Sequence, residues 1–245
     1  MPIAIGIGSS LSTIAIGREQ KPPFFGGFCV MKTTLDNIFF KNLSLISIIL
    51  ASYFIMQHIA IFASGSGTNA KKIVEYFVHS EKIKISLVVS NKVDAGVLQV
   101  AKDFGLPSLV IDKYQLANES LMTSLLEKHK VEYIILAGFL LLIPVFLVRN
   151  FEKRIVNIHP ALLPNYGGKG MYGRHVHEAV YKNKEHESGI SIHFASDQYD
   201  EGDIIFQKSI AINEGDTPEI IAQKVQQLEH QFFPKVIEEL ILKSI

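Results

Sequence analysis

The stretch that decides the fold is H-I-A-I-F-A-S-G-S-G-T-N, residues 58 to 69. His58 to Ala63 is a short apolar run, the pattern of a strand buried on both faces. It opens directly into Ser64-Gly65-Ser66-Gly67-Thr68-Asn69, and the residues to about Val78 read as a helix. Strand, glycine turn and helix in that order make the first half of a βαβ unit. Glycines let backbone N–H groups close on an anion at the helix N-terminus, where the dipole assists. Gly65-x-Gly67-x-x-Ala70 is close to a dinucleotide turn, but the second strand ends in Ser90-Asn91 and lacks the acidic residue that grips a ribose. No Lys precedes Thr68, which removes the P-loop reading. Ser66, Thr68 and Asn69 are small polar groups suited to one phosphate, so a nucleotide monophosphate or sugar phosphate fits best. The plainer alternative is a turn that uses glycine for backbone reasons alone.

Outward from this turn, strands and helices alternate. Ile83 to Ser90 reads as a second strand, followed by a turn at Asn91 to Asp94 and a helix ending near Gly105. Ser108 to Ile111 is a third strand, Gln115 to Lys130 one helix, Tyr133 to Ala137 a fourth strand and Ile155 to Ile158 a fifth. Buried-type strands separated by helices predict a parallel sheet with right-handed crossovers. Gly189 to Ala195 and Ile204 to Ile212 alternate as half-exposed strands, and their short link predicts an antiparallel edge. The expected fold is therefore α/β and Rossmann-like, a mostly parallel sheet with an antiparallel edge and helices on both faces. A last helix begins with Thr217 as N-cap, Pro218 at its first position and Glu219 in its first turn. Ile221, Val225, Leu228 and Phe232 are its expected buried stripe, and Pro234 is expected to kink or restart it.

The fifth strand runs into N-I-H-P-A-L-L-P, residues 157 to 164. Residues i and i+2 of a strand share a face, so Asn157 and His159 point into one pocket. Pro160 ends the strand there, at the edge where open α/β sheets place their ligands. An imidazole in such a place needs a partner, and the best candidate is Asp200 in Ser196-Asp197-Gln198-Tyr199-Asp200-Glu201-Gly202, between the two edge strands. A carboxylate beside His favours the cation, and an amide N–H can donate to a developing oxyanion. No Ser or Cys nucleophile stands beside His159, so the expected chemistry is attack by a bound substrate amine on a carbonyl.

Composition narrows the classes. Lys+Arg and Asp+Glu balance at 24 each in 245 residues, so no global basic excess points to nucleic acid. Cys29 is the single cysteine, which excludes an internal disulfide framework and a cysteine-rich zinc site. No H-x-x-x-H pair is backed by Glu, His175 and His177 are only two apart, and no metal is expected. Residues 1–56 do not follow the alternation of 57–245. Their apolar run from Leu43 to Met56 is about 14 residues, short of the ~20 that span a bilayer. Met56 stands just before the first strand, and the expectation is a non-conforming extension, disordered or not native, with translation beginning at or near Met56. A membrane or targeting segment and an ordered accessory element are the alternatives.

Ser64-Gly65-Ser66-Gly67-Thr68-Asn69, Leu136-Ala137-Gly138-Phe139, Asn157-Ile158-His159-Pro160 with Leu162-Leu163-Pro164, and Asp200-Glu201-Gly202 occur in an order and spacing that resembles the phosphoribosylglycinamide formyltransferases, folate-dependent enzymes of purine synthesis. The resemblance runs from about Gln57 to the C-terminus. It implies transfer of a formyl group from 10-formyltetrahydrofolate, a co-substrate, to the amine of glycinamide ribonucleotide. It also implies Asn157, His159 and Asp200 as the catalytic trio, with His159 as an imidazolium paired to Asp200. Ser66, Gly67, Thr68 and Asn69 match the ribonucleotide-phosphate loop, and Glu229 matches a residue that contacts the ribonucleotide. Phe139, Leu140, Leu141, Leu142 and Ile143 match the wall of the folate pocket, with Asn157 beside it. Partners are then small molecules, with no nucleic acid and no membrane for the catalytic domain, in a cytoplasmic monomer or homodimer.

Two departures stand out. Leu141 occupies a position where many relatives carry Arg. The stretch Tyr166 to His175 is longer than the commonest form, and its four glycines suggest a mobile loop in which Lys169 or Arg174 meets a phosphate or the folate tail. Two rival readings remain open. A formyltetrahydrofolate deformylase would use water in place of the amine, but residues 1–56 are too short for its regulatory domain. A non-catalytic phosphate-binding module would have no need of an intact trio.

Overall fold

The computed structural model describes residues 56–244. The expected extension thus lies, except for Met56, outside the described residues. Seven strands form one sheet in the order β3-β2-β1-β4-β5-β6-β7. They are β1 (Gln57–Phe62), β2 (Ile83–Ser90), β3 (Ser108–Val110), β4 (Tyr133–Leu136), β5 (Ile155–His159), β6 (Glu187–Phe194) and β7 (Ile204–Ala211). The first five pair in parallel, while β5 with β6 and β6 with β7 are antiparallel. The expected mostly parallel sheet with an antiparallel edge is what the chain forms.

The period of two in β1 divides the core. Ile59 and Ile61 point to one side and join Ala70, Ile73 and Val74 of α1 (Thr68–Phe77), Val97 of α2 (Gly96–Asp103), and Ile221 and Ile237 of the last helix. Ala60 and Phe62 point to the other side and meet Leu116 of α3 (Lys113–Ala117), Met122 and Leu126 of α4 (Glu119–Lys128), and Leu147 of α5 (Val145–Asn150). Both faces are covered, which explains why β1 reads as unbroken apolar sequence. From β1 the chain winds outward to β2 and β3, then crosses back to β4 on the other side. The crevice where that order reverses, at the carboxyl ends of β1 and β4, is the ligand position of an open α/β sheet.

Three local expectations are corrected. The helix expected over Gln115 to Lys130 is two helices, α3 and α4, because Asp112 and Asn118 each cap a new start. Asp112 accepts from Tyr114 N and Gln115 N, and Asn118 accepts from Leu121 N. The last helix, α7 (Pro218–Lys243), runs through Pro234 without restarting, and its buried stripe passes through Phe233 rather than Phe232. Phe232 is half-buried and stacks on Phe206, with ring centroids 5.2 Å apart. The last two residues of the glycine-rich stretch, Arg174 and His175, open a helix, α6 (Arg174–Lys182), whose cap residue is Gly173. Among the described residues no helix is long and apolar enough to cross a membrane.

Candidate active site

The loop ends of β1, β4, β5 and the β6–β7 link converge on one cavity of about 1000 Å³. Ser66, Gly67, Thr68 and Asn69, Phe139 through Ile143, Asn157, His159, Asp200 and Glu229 all line it. The residues singled out from the sequence are therefore brought together, though they span 164 positions from Ser66 to Glu229 (229 − 66 = 163 steps).

The glycine turn is built by close packing against the next loop. Gly67 has φ 79°, and a Cβ there would sit 2.7 Å from the Val97 Cα, so neither the backbone angle nor the space accepts a side chain. Ser64 is buried, donates to Asn91 Oδ1 at 2.5 Å and accepts from Leu140 N at 2.9 Å, which ties the ends of β1, β2 and β4 into one rim. Asn69 Nδ2 donates to Glu229 Oε2 at 2.9 Å, while its Oδ1 is buried with no donor.

Burial raises the Glu229 carboxyl to about 7, with the Asn69 amide pulling the other way. Its folded value lies above its ordinary 4.5, so the stability it contributes is complete below 4.5 and is lost as pH rises through about 7. Glu229→Gln keeps an acceptor for Asn69 and removes that loss. Thermal melts are expected to show the variant more stable than the parent at pH near 8, with the gap narrowing by pH near 5; a gap independent of pH would contradict the assignment.

The segment after β4 alternates. Ile143 is buried, and Phe139 and Leu141 pack against the second core layer, Phe139 edge-on to Phe62 with centroids 5.3 Å apart. Leu140 and Leu142 are exposed. Leu141 is thus seated as a half-buried apolar side chain on the cavity wall. Of the cations in the glycine-rich stretch, Arg174 is engaged by Glu178 at 2.6 Å and by Glu219 at 3.1 Å. Lys169 also lines the cavity and forms no ion pair among the described residues.

At the carboxyl end of β5, Asn157 pairs across to His193 and His159 to Ser191. The β6–β7 register shifts between Ile192 and His193, a bulge that re-aims the His193 ring beside the site. Asn157 Nδ2 lies 2.9 Å from His193 Nε2 and donates to Asp200 Oδ1 at 3.3 Å. His193 Nδ1 faces the Phe194 carbonyl at 2.8 Å, so it carries the proton and Nε2 accepts from the amide. His193 is not singled out by the sequence; it sits opposite Asn157 on β6, a strand buried on both faces from Ser188 to His193 rather than half-exposed as expected.

Asp200 stands in a left-handed turn at φ 59°, which Asp tolerates better than most residues. Gly202 holds that turn against β6, where a Cβ would fall 1.8 Å from the Phe194 carbonyl oxygen. Asp200 Oδ2 accepts from Gly168 N at 3.0 Å and lies 3.4 Å from His159 Nδ1. His159 Nε2 lies 2.7 Å from the Tyr166 carbonyl. A carbonyl only accepts, so Nε2 carries the proton, and a neutral ring presents its Nδ1 lone pair to Asp200.

The resemblance implies an imidazolium at His159, and in the free chain burial opposes that charge. Burial lowers His159 below its ordinary 6.5 and outweighs the opposing pulls of Asp200 and the Tyr166 carbonyl; a second proton on the neighbouring His193 would lower it further. Burial pushes Asp200 up, yet an N–H of a protonated His193, the charge of a protonated His159 and the Gly168 N–H would together hold it below the usual carboxylate range. With the ring neutral, the pair is a carboxylate facing an imidazole lone pair at 3.4 Å, two acceptors with room for one proton. His177, also buried in the cavity wall, is lowered by burial and by His159, and its Nδ1 has no partner.

Residues 57–237 match the model of the family described as formyl transferase. The chain is similar to a chloroplastic phosphoribosylglycinamide formyltransferase of Arabidopsis thaliana, 42% identical over 187 residues, which cover 74% of this chain and 64% of that protein. It is 35% identical over 191 residues to a phosphoribosylglycinamide formyltransferase of Bacillus subtilis, covering 76% of this chain and 95% of the relative. The crystal structure of phosphoribosylglycinamide formyltransferase from Bacillus halodurans superposes with a TM-score of 0.69 at 30% identity, covering 77% of this chain and 97% of that one.

Proposed function

The chain belongs to the formyl transferase family, and from that premise we propose that it moves a formyl group from 10-formyltetrahydrofolate to the amine of 5'-phosphoribosylglycinamide, a step of purine synthesis. The observation that carries this reading is the single cavity in which a phosphate-sized glycine turn, an apolar wall and the Asn157–His159–Asp200 cluster meet. The names of the Arabidopsis and Bacillus relatives support the choice of substrate.

In the proposed arrangement the ribonucleotide phosphate lies on the turn Ser66 to Asn69, and Glu229, bonded to Asn69, contacts the ribonucleotide. The folate head group packs along Phe139 to Ile143. The amine nitrogen attacks the formyl carbon and forms a tetrahedral intermediate. Its oxyanion takes the Asn157 Nδ2 hydrogen now shared with Asp200, the longer of that group's two bonds. The proton lost by the attacking nitrogen enters the vacancy between Asp200 and His159 Nδ1. It is then delivered to the folate nitrogen as the carbon–nitrogen bond to folate breaks, so no net proton is consumed. No metal has a part in this scheme. The proposed catalytic domain is residues 57–245, acting in the cytoplasm as a monomer or homodimer.

Purified protein given 10-formyltetrahydrofolate is expected to release tetrahydrofolate only when glycinamide ribonucleotide is also present. Equal release without the amine would identify a deformylase, and ligand binding without turnover would identify a non-catalytic module.

A further inference from the structure

We propose that Tyr166 is a positioning residue whose side chain, anchored on Glu185 and Asn183, holds a backbone clamp that fixes His159 and Asp200 together. The inference rests on the reading of that pair as the proton-handling element of the site. Two backbone groups only two residues apart grip the two side chains. The Tyr166 carbonyl receives the His159 Nε2 proton at 2.7 Å, and the Gly168 N–H donates to Asp200 Oδ2 at 3.0 Å. Tyr166 adopts φ 58°, a left-handed conformation uncommon for a side chain of its size. Something must hold it there.

The phenol supplies that hold. Its Oη donates to Glu185 Oε1 at 2.6 Å and accepts from Asn183 Nδ2 at 2.9 Å. Both partners lie at the carboxyl end of α6, and Asn183 is that helix's C-cap. Upstream, the same segment is pinned to the sheet. Leu163 N donates to Ser191 Oγ at 2.9 Å, and Gln207 Nε2 donates to the Leu163 carbonyl at 2.9 Å. The clamp is thus held at both sides, and the phenol is its outer anchor, outside the residues that line the cavity.

The consequence is a choice of tautomer. With Nε2–H committed to the Tyr166 carbonyl, the neutral ring turns its lone pair toward Asp200, and the pair can take a proton. If the clamp slackens, the ring gains by placing its proton on Nδ1 and donating to Asp200, 3.4 Å away. The vacancy between the two groups is then already filled before the amine attacks. Other groups facing this ring, His193 and His177, do not supply an acceptor to its Nε2.

The test compares Tyr166→Phe, Glu185→Ala and Glu185→Gln, reading kcat, KM and the ring nitrogen chemical shifts of His159. Glu185 is exposed, so its variants leave the core intact. Tyr166→Phe and Glu185→Ala are expected to lower kcat about fivefold, which converts to about 1 kcal/mol of barrier, with KM for both substrates nearly unchanged. In both, the His159 ring shifts from the Nε2–H form toward the Nδ1–H form, while Glu185→Gln, which keeps an acceptor, stays like the parent. A His159 tautomer that does not move in Tyr166→Phe overturns the inference, whatever happens to the rate. That readout needs no turnover. A parent chain that transfers no formyl group would sink the proposed function alone, and the tautomer would still decide the role of Tyr166.

Discussion

His159→Ala is expected to lower kcat by about 10²–10³ while leaving ribonucleotide affinity nearly intact. The reason is spatial. His159 is buried at the end of β5, with one nitrogen on the Tyr166 carbonyl and the other facing Asp200. The phosphate turn hangs from β1, two strands away across β4. Removing the imidazole deletes the proton vacancy beside Asp200 but leaves the Ser66 to Asn69 turn in place. Steady-state kinetics paired with calorimetric titration of glycinamide ribonucleotide checks both halves. An unchanged kcat would remove His159 from the mechanism, and an equal loss in both would make it a scaffold for the cavity.

Asp200→Asn is expected to cost about as much, roughly 10²–10⁴ in kcat, although the side chain barely changes in shape. Oδ1 accepts from Asn157, and Oδ2 accepts from Gly168. An amide has one acceptor oxygen and one donor nitrogen, so either orientation sets a donor against a donor. A buried donor without an acceptor costs ~1–3 kcal/mol, so this variant should also melt earlier than the parent. It loses in addition the negative charge that receives the proton. Retention of parental kcat would mean that His159 handles the proton without a carboxylate.

Much of this was readable in the chain. The apolar run of β1 followed by Gly65 and Gly67 marked a parallel sheet and its crevice, because strands covered on both faces carry no polar alternation. The i, i+2 spacing of Asn157 and His159 placed them on one face, since strand geometry leaves no other option. Asp200 was reachable because a polar loop between two edge strands has to return to the same end of the sheet.

What escaped has physical causes of its own. Asn118 looks tolerable inside a helix, and only its bond to Leu121 N shows that it starts a new one. His193 depends on an antiparallel register and a bulge, neither of which leaves a local signature. The Tyr166 carbonyl and the Gly168 N–H are backbone groups, and every residue has them. The burial that opposes a charge on His159 belongs to the assembled cavity.

The most direct test of the proposed transfer follows the formyl carbon itself. With 10-formyltetrahydrofolate labelled at that carbon and unlabelled glycinamide ribonucleotide, the label is expected on the ribonucleotide amine in a one-to-one yield with tetrahydrofolate. Label recovered as free formate, with the ribonucleotide unmodified, would contradict it.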